Sequence, residues 1–147
     1  MKARMLVVAA MSAVLAAGAV TAADSPQVTR QADMKRIGGA MGALAGMAKG
    51  EKPYDAAVVT QSLTTISEMS KVFPTLFPEG SETGDETEAS PAIWQNMADF
   101  KAKAEKLGAD ADALLANPPA DQAALGAAVG TLGPNCGGCH KVYRVDK

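Results

Sequence analysis

Near the C-terminus the chain reads Cys136-Gly137-Gly138-Cys139-His140, two thiols and an imidazole at positions i, i+3 and i+4. On a helix those three side chains lie on one face, so all of them reach the same partner together. C-x-x-C-H is the spacing of covalent haem attachment, in which two thiols add across two vinyl groups and the adjacent imidazole binds iron. Cys136 and Cys139 are thus the expected thioether residues and His140 the expected proximal ligand of one covalently held haem c per chain. Gly137 and Gly138 leave room for a large ring close to the backbone.

Other uses of the same residues fit less well. A redox Cys pair is expected beside a βαβ pattern, which this chain lacks. A zinc site needs a fourth ligand, usually Cys or His, and the chain has only these two Cys and this one His. A structural disulfide suits three-residue spacing on a helix poorly and leaves His140 unexplained. Because His140 is the only His, the iron cannot take two imidazoles, and its opposite side must hold Met, Lys, an exogenous ligand or nothing.

Helices must position these groups. Aromatic residues make up only 4% of the chain, while Ala, Leu, Met, Lys and Glu are plentiful, a helical composition. From about Ser25 to Lys49, Met34, Ile37, Met41, Leu44 and Ala48 line one helix face, with Gly50 and Pro53 as stops. Val59, Leu63, Ile66, Ser70 and Phe73 repeat the pattern from Asp55, a helix cap, to Pro74. A long connection from Pro74 to Ala89 carries Glu79, Glu82, Asp85, Glu86 and Glu88 without one base, the composition of a solvated loop. Ser90-Pro91 starts a third helix through Ile93, Met97, Phe100, Ala104 and Leu107, with Gly108 a point of bending or interruption before Asn117-Pro118-Pro119 ends it. The last begins near Asp121 and carries Leu125, Val129, Leu132, Cys136, Cys139 and Tyr143 on one face; Pro134 is expected to kink it or to start a new helix. The expected fold is all-α, an antiparallel up-down-up-down four-helix bundle with the haem near the C-terminal helix.

Residues 1–23 read as a cleaved signal peptide, with Lys2 and Arg4, an apolar stretch from Met5 to about Ala19, and small residues at Thr21, Ala22 and Ala23. Residues 24–147 form the one remaining domain, exported to an oxidising compartment and no integral membrane protein after cleavage. Cleavage leaves 12 basic against 16 acidic side chains, since only Lys2 and Arg4 are lost from 14 and 16. No basic stripe exists to neutralise phosphates, which excludes nucleic acid, and the acidic balance favours partners with a positive docking face. No nucleophile with a base is visible, so an electron carrier is expected rather than an enzyme.

The C-terminal motif on a four-helix chain resembles the class II c-type cytochromes, the group of cytochrome c′ and cytochrome c-556. Arg30-Gln31-Ala32-Asp33-Met34-Lys35 matches the family's first-helix pattern, Leu76-Phe77-Pro78-Glu79-Gly80 its loop, and Ala92-Ile93-Trp94 its third helix. Leu132-Gly133 through His140 to Tyr143-Arg144 matches the haem-binding end. The resemblance implies that Met34 faces the open side of the iron. Cytochromes c-556 use a Met there as sixth ligand, and Gly50-Glu51-Lys52-Pro53-Tyr54-Asp55 is similar to that branch. It further implies that Arg30 pairs with a haem propionate and that Arg144 lies beside the proximal imidazole. Trp94 and Phe100 read as bundle core. The expected function is periplasmic one-electron transfer with His140 and Met34 as axial ligands and other periplasmic proteins as redox partners. The alternative is a five-coordinate cytochrome c′ that binds nitric oxide or carbon monoxide, with Met34 as an uncoordinated gate. A homodimer paired through the first helices stays open.

Overall fold

The computed structural model describes residues 24–145. The expected signal peptide, residues 1–23, lies outside them. Five helices follow in order: α1 (Pro26–Ala48), α2 (Ala56–Val72), α3 (Ala92–Gln95), α4 (Met97–Ala116) and α5 (Gln122–Tyr143), with a short 3₁₀ turn at Phe73–Leu76. The four long ones form the bundle, and α3 is one turn in the crossover from α2 to α4.

Local chemistry sets the helix ends. Ser25 Oγ, Asp55 Oδ1 and Asp121 Oδ1 accept from backbone N–H groups in the first turns of α1, α2 and α5. Gly50, at φ 74°, turns the chain out of α1 in the left-handed region that Gly enters freely. Cross-helix contacts then fix the topology. Ser67 and Lys71 of α2 meet Asp112 of α4, Asp110 and Asp99 of α4 meet Asn135 and Tyr143 of α5, and the end of α1 meets the start of α5 through Gln122 and Ala48. Numbers rise on one helix as they fall on its neighbour, so the bundle runs up-down-up-down, as expected.

The structure decides among the local alternatives at three points. The third helix is broken: Asn96, at φ −140° and ψ 59°, ends α3, and its Oδ1 accepts from Asp99 N at 3.4 Å to start α4. Gly108 does not interrupt α4. It is buried against α2, where an added Cβ would stand 3.5 Å from the Ser67 carbonyl, so packing holds the helix through it. Pro134 starts no new helix either; α5 runs on through it to Tyr143.

Two cores result. At the end with the short connections, Leu44, Leu63, Ile66, Ala111, Leu125 and Leu132 are wholly buried. At the other end Phe77, Ile93, Phe100 and Tyr143 are buried and Phe73, Trp94 and Cys139 pack on them.

Candidate haem site

α5 carries the attachment motif into the space between these cores. Leu132 and Tyr143, both buried, fix the rotation of the helix, and Cys136 and Cys139 between them are half-buried free thiols. Burial pushes both thiols above their ordinary range; for Cys139 the nearby Lys103 works in the other direction. His140 is held below its ordinary value by burial and then by Arg144, with Glu88 opposing. A neutral imidazole with a free ring nitrogen is the form that binds a metal.

Two cavities meet at the motif. The outer one, about 380 Å³, is lined by Arg30, Met34, Phe73, Cys139, His140 and Tyr143 among others. The inner one, about 230 Å³, adds Met41, Ser70, Lys103, Leu107 and Cys136 and shares Met34, Phe73, Phe100, Cys139 and His140 with the first. The structure therefore brings Cys136, Cys139, His140 and Met34 together around one space, with Met34 arriving from α1 and the other three from α5.

Arg30 reaches that wall from α1 with its guanidinium buried and hydrogen-bonded. At 3% exposure it is no surface charge. Its Nη2 donates to the Ser81 carbonyl and to Thr87 Oγ1, both at 2.7 Å, and its Nη1 to Ser81 Oγ at 3.1 Å. The guanidinium also lies 4.8 Å from the centroid of Phe77, and Glu82 offsets part of the cost of its burial. Arg30 thus fastens the acidic crossover to α1. Gln27 and Gln31 help, donating to the carbonyls of Thr83 and Asp85 at 2.7 and 2.6 Å. The crossover is clipped to α5 as well: Ser90 N donates to the Tyr143 carbonyl, Val145 N to the Glu88 carbonyl, and Arg144 Nε lies 2.6 Å from Glu88 Oε2. The loop read as solvated is a strap tied to both helices that carry the site.

Sequence reasoning missed Ser81, Thr87, Asn135, Asp99 and Asp110 as supports, and Ser70 and Lys103 as lining. Only Asn135 carried a signal, its place directly before Cys136. The others belong to segments that meet the site only in three dimensions.

The residues fit a covalently held haem. Two free thiols and an imidazole open on apolar walls. The Ser70 hydroxyl, at 2% exposure, is the one buried side-chain polar atom among the described residues without a hydrogen-bond partner, and it belongs to the inner cavity wall. Fold and site together define a c-type haem protein built on a helical bundle.

A family profile described as Cytochrome C' matches residues 26–144. A curated relative, cytochrome c-556 of Agrobacterium fabrum, is 55% identical over 147 residues, covering 100% of this chain and 99% of the relative. Cytochrome c′ of Rhodopseudomonas palustris is 39% identical, again covering 100% and 99%. A solved structure of cytochrome c′ from Rhodopseudomonas palustris superposes with a TM-score of 0.80 at 39% identity, covering 85% of this chain and 99% of that one. The chain belongs to the cytochrome c′ family. It is a class II c-type cytochrome with covalent haem c, and its two cysteines allow one attachment site per chain.

Proposed function

We propose that the protein is a periplasmic one-electron carrier in which Cys136 and Cys139 hold the haem by thioethers and His140 and Met34 are the axial ligands. The observation that carries the reading is that Met34, from α1, and His140, from α5, line the same two cavities. Haem with Met and His ligands supplies a one-electron couple at raised potential. The chain does the rest. The Phe73 and Phe100 rings give both cavities an apolar wall, and the strap held by Arg30 lines the outer one through Glu86, Thr87, Glu88 and Ala89. Arg30 has five N–H donors and spends three on Ser81 and Thr87, so two remain for a propionate. The exported compartment follows from the signal-like residues 1–23, and the redox partner is a protein with a positive face, matching the net charge of this chain. No helix among the described residues is long and apolar enough to cross a membrane.

The five-coordinate, gas-binding reading draws on the 39% identical cytochrome c′. The higher identity to a cytochrome c-556, 55%, favours ligation by Met34. Absorption spectra of the ferric and ferrous protein separate the two. Ligation by Met34 predicts a low-spin iron at neutral pH, and Met34→Leu then gives a high-spin ferrous protein that binds carbon monoxide far more readily. A wild-type ferrous spectrum already high-spin, and unchanged in Met34→Leu, would sink the ligation and promote the gas-binding reading.

A further inference from the structure

The segment that bears the haem ligands is the poorest helix former in α5. Gly133, Pro134, Gly137 and Gly138 occupy four of its six positions from 133 to 138. Gly and Pro are the two least favourable residues in a helix interior. Pro134 also removes the N–H that would bond the Gly130 carbonyl one turn earlier. Packing supplies little in return, because an added Cβ at Gly130, Gly133, Gly137 or Gly138 would meet nothing within 4 Å. The helix nevertheless continues to Tyr143.

Polar pins flank residues 136–140, one at Asn135 within this weak stretch and one at Tyr143 beyond it, and both run to α4. On the N-terminal side Asn135 Nδ2 donates to Asp110 Oδ2 at 2.8 Å and to the Thr131 carbonyl at 3.3 Å. The second contact ties the helix across the turn that Pro134 weakens. Asp110 is in turn held by Lys106 Nζ, 3.1 and 2.8 Å from its two oxygens, and these partners keep its carboxyl below the ordinary range. On the C-terminal side the Tyr143 hydroxyl donates to Asp99 Oδ2 at 2.6 Å, and Lys103 Nζ stands 3.7 Å from the same oxygen. Asp99 and Asp110 lie about three turns apart on α4, on one face of it. Cys136, Cys139 and His140 fall between the two pins.

We propose that Asp110 and Asp99 are positioning residues: acting through Asn135 and Tyr143, they hold the Cys136–His140 turn helical and so fix where the two thiols and the imidazole stand. The hydrogen bonds of the two Asp residues to α5 go to Asn135 and Tyr143, although the Asp99 charge also acts on the Cys139 thiol. The inference rests on these three residues being the haem-bearing ones, which haem retention through acid-organic extraction of the mature wild-type protein checks separately. Haem lost in that extraction would overturn the attachment reading while leaving the pins as a property of the helix.

The test uses the mature haem protein with Asn135→Ala, Asp110→Ala, the double variant, Asp110→Asn and Tyr143→Phe. Amide hydrogen exchange across 135–140 should speed up about tenfold in Asn135→Ala and in Asp110→Ala, as loss of one hydrogen bond to a charged group predicts. The double variant should be no faster than Asn135→Ala, because that single change already removes the contact to Asp110. Asp110→Asn keeps an acceptor for Asn135 and should stay within about twofold of wild type on the same scale. Reduction potential and the spin-state bands should shift in the same rank order, which a support remote from the ligands would not cause. Tyr143→Phe should speed exchange on the His140 side of the turn and leave Asn135 protected. Should Asp110→Ala fail to mature, Asn135→Ala and Tyr143→Phe carry the same readings. Unchanged exchange and spectra in Asn135→Ala, or single effects that multiply in the double variant, would overturn the proposal.

Discussion

The two ends of the bundle solve packing by opposite means. At the end of the short connections, apolar side chains from all four long helices meet in one buried cluster, and Leu44, Leu63, Leu125 and Leu132 are at 0% exposure. Few polar contacts are needed there beyond Tyr54, whose hydroxyl donates to the Pro119 carbonyl at 2.6 Å across the two turns. At the other end five aromatic rings pack in four edge-on pairs, with Phe77 and Phe100 4.8 Å apart and Phe100 and Tyr143 5.2 Å apart, and all but Trp94 border the outer cavity. Apolar burial cannot hold a space open, so this end is fixed by directional bonds: Arg30 to the strap, Asn135 and Tyr143 to α4. One end is held by what fills it, the other by what surrounds it.

The largest expected effect is therefore in the filled end. Leu63→Ala removes a wholly buried side chain and should destabilise the protein by about 2–5 kcal/mol. Denaturant unfolding measures the loss, and the haem spectrum of the folded variant should match wild type. A changed spectrum would mean that the two ends are coupled, which the separate cores argue against.

Arg30→Met is next, and should act locally. It removes three hydrogen bonds from a charged group, and its global cost should be about 1.5–3 kcal/mol, because Ser81 Oγ still has the Pro78 carbonyl and Thr87 Oγ1 the Ala89 N–H. The sharper readout is amide exchange: protection should fall in residues 81–88 while the Leu63 region stays protected. Equal loss at both ends would refute a strap with its own stability.

The filled end was the more legible of the two in the sequence. Val59, Leu63 and Ile66 announced their face by spacing alone, Asp55 capped the helix it was expected to cap, and Asp121 stands where the last helix was expected to begin. The motif at Cys136–His140 was legible for the same reason, since its chemistry is local in the chain. The cavity end was not, because its bonds span long separations. Arg30 meets partners 51 and 57 positions away, and nothing in its own neighbourhood announces that it is buried. The break at Asn96 was hidden by an apolar pattern, Ile93, Met97, Phe100, that runs through it with helical spacing. Of the two outcomes expected at Pro134, a new helix does not occur: α5 continues through it, with Asn135 bonded to α4 just beyond.

The smallest effect is a pH dependence confined to the cavity end. The hydrogen bond to Asp99 comes first among the causes, followed by burial and by the charge of Asp99, and together they push the Tyr143 hydroxyl from 10.0 up to about 12. A group whose folded pKa is raised binds its proton more tightly in the native state, so its contribution is fully present below the unfolded value. It is lost as pH rises from about 10 to about 12. The informative quantity is the difference in unfolding free energy between wild type and Tyr143→Phe, which lacks only the hydroxyl, so that every other pH effect cancels. That difference should be constant at neutral and mildly alkaline pH and shrink through the stated window. Amide exchange at the C-terminal end of α5 should loosen in step in wild type and not in the variant. A difference that stays flat up to pH 12 would mean that the Tyr143–Asp99 bond contributes nothing to holding the cavity end, leaving Asn135 as the only pin on that stretch of α5.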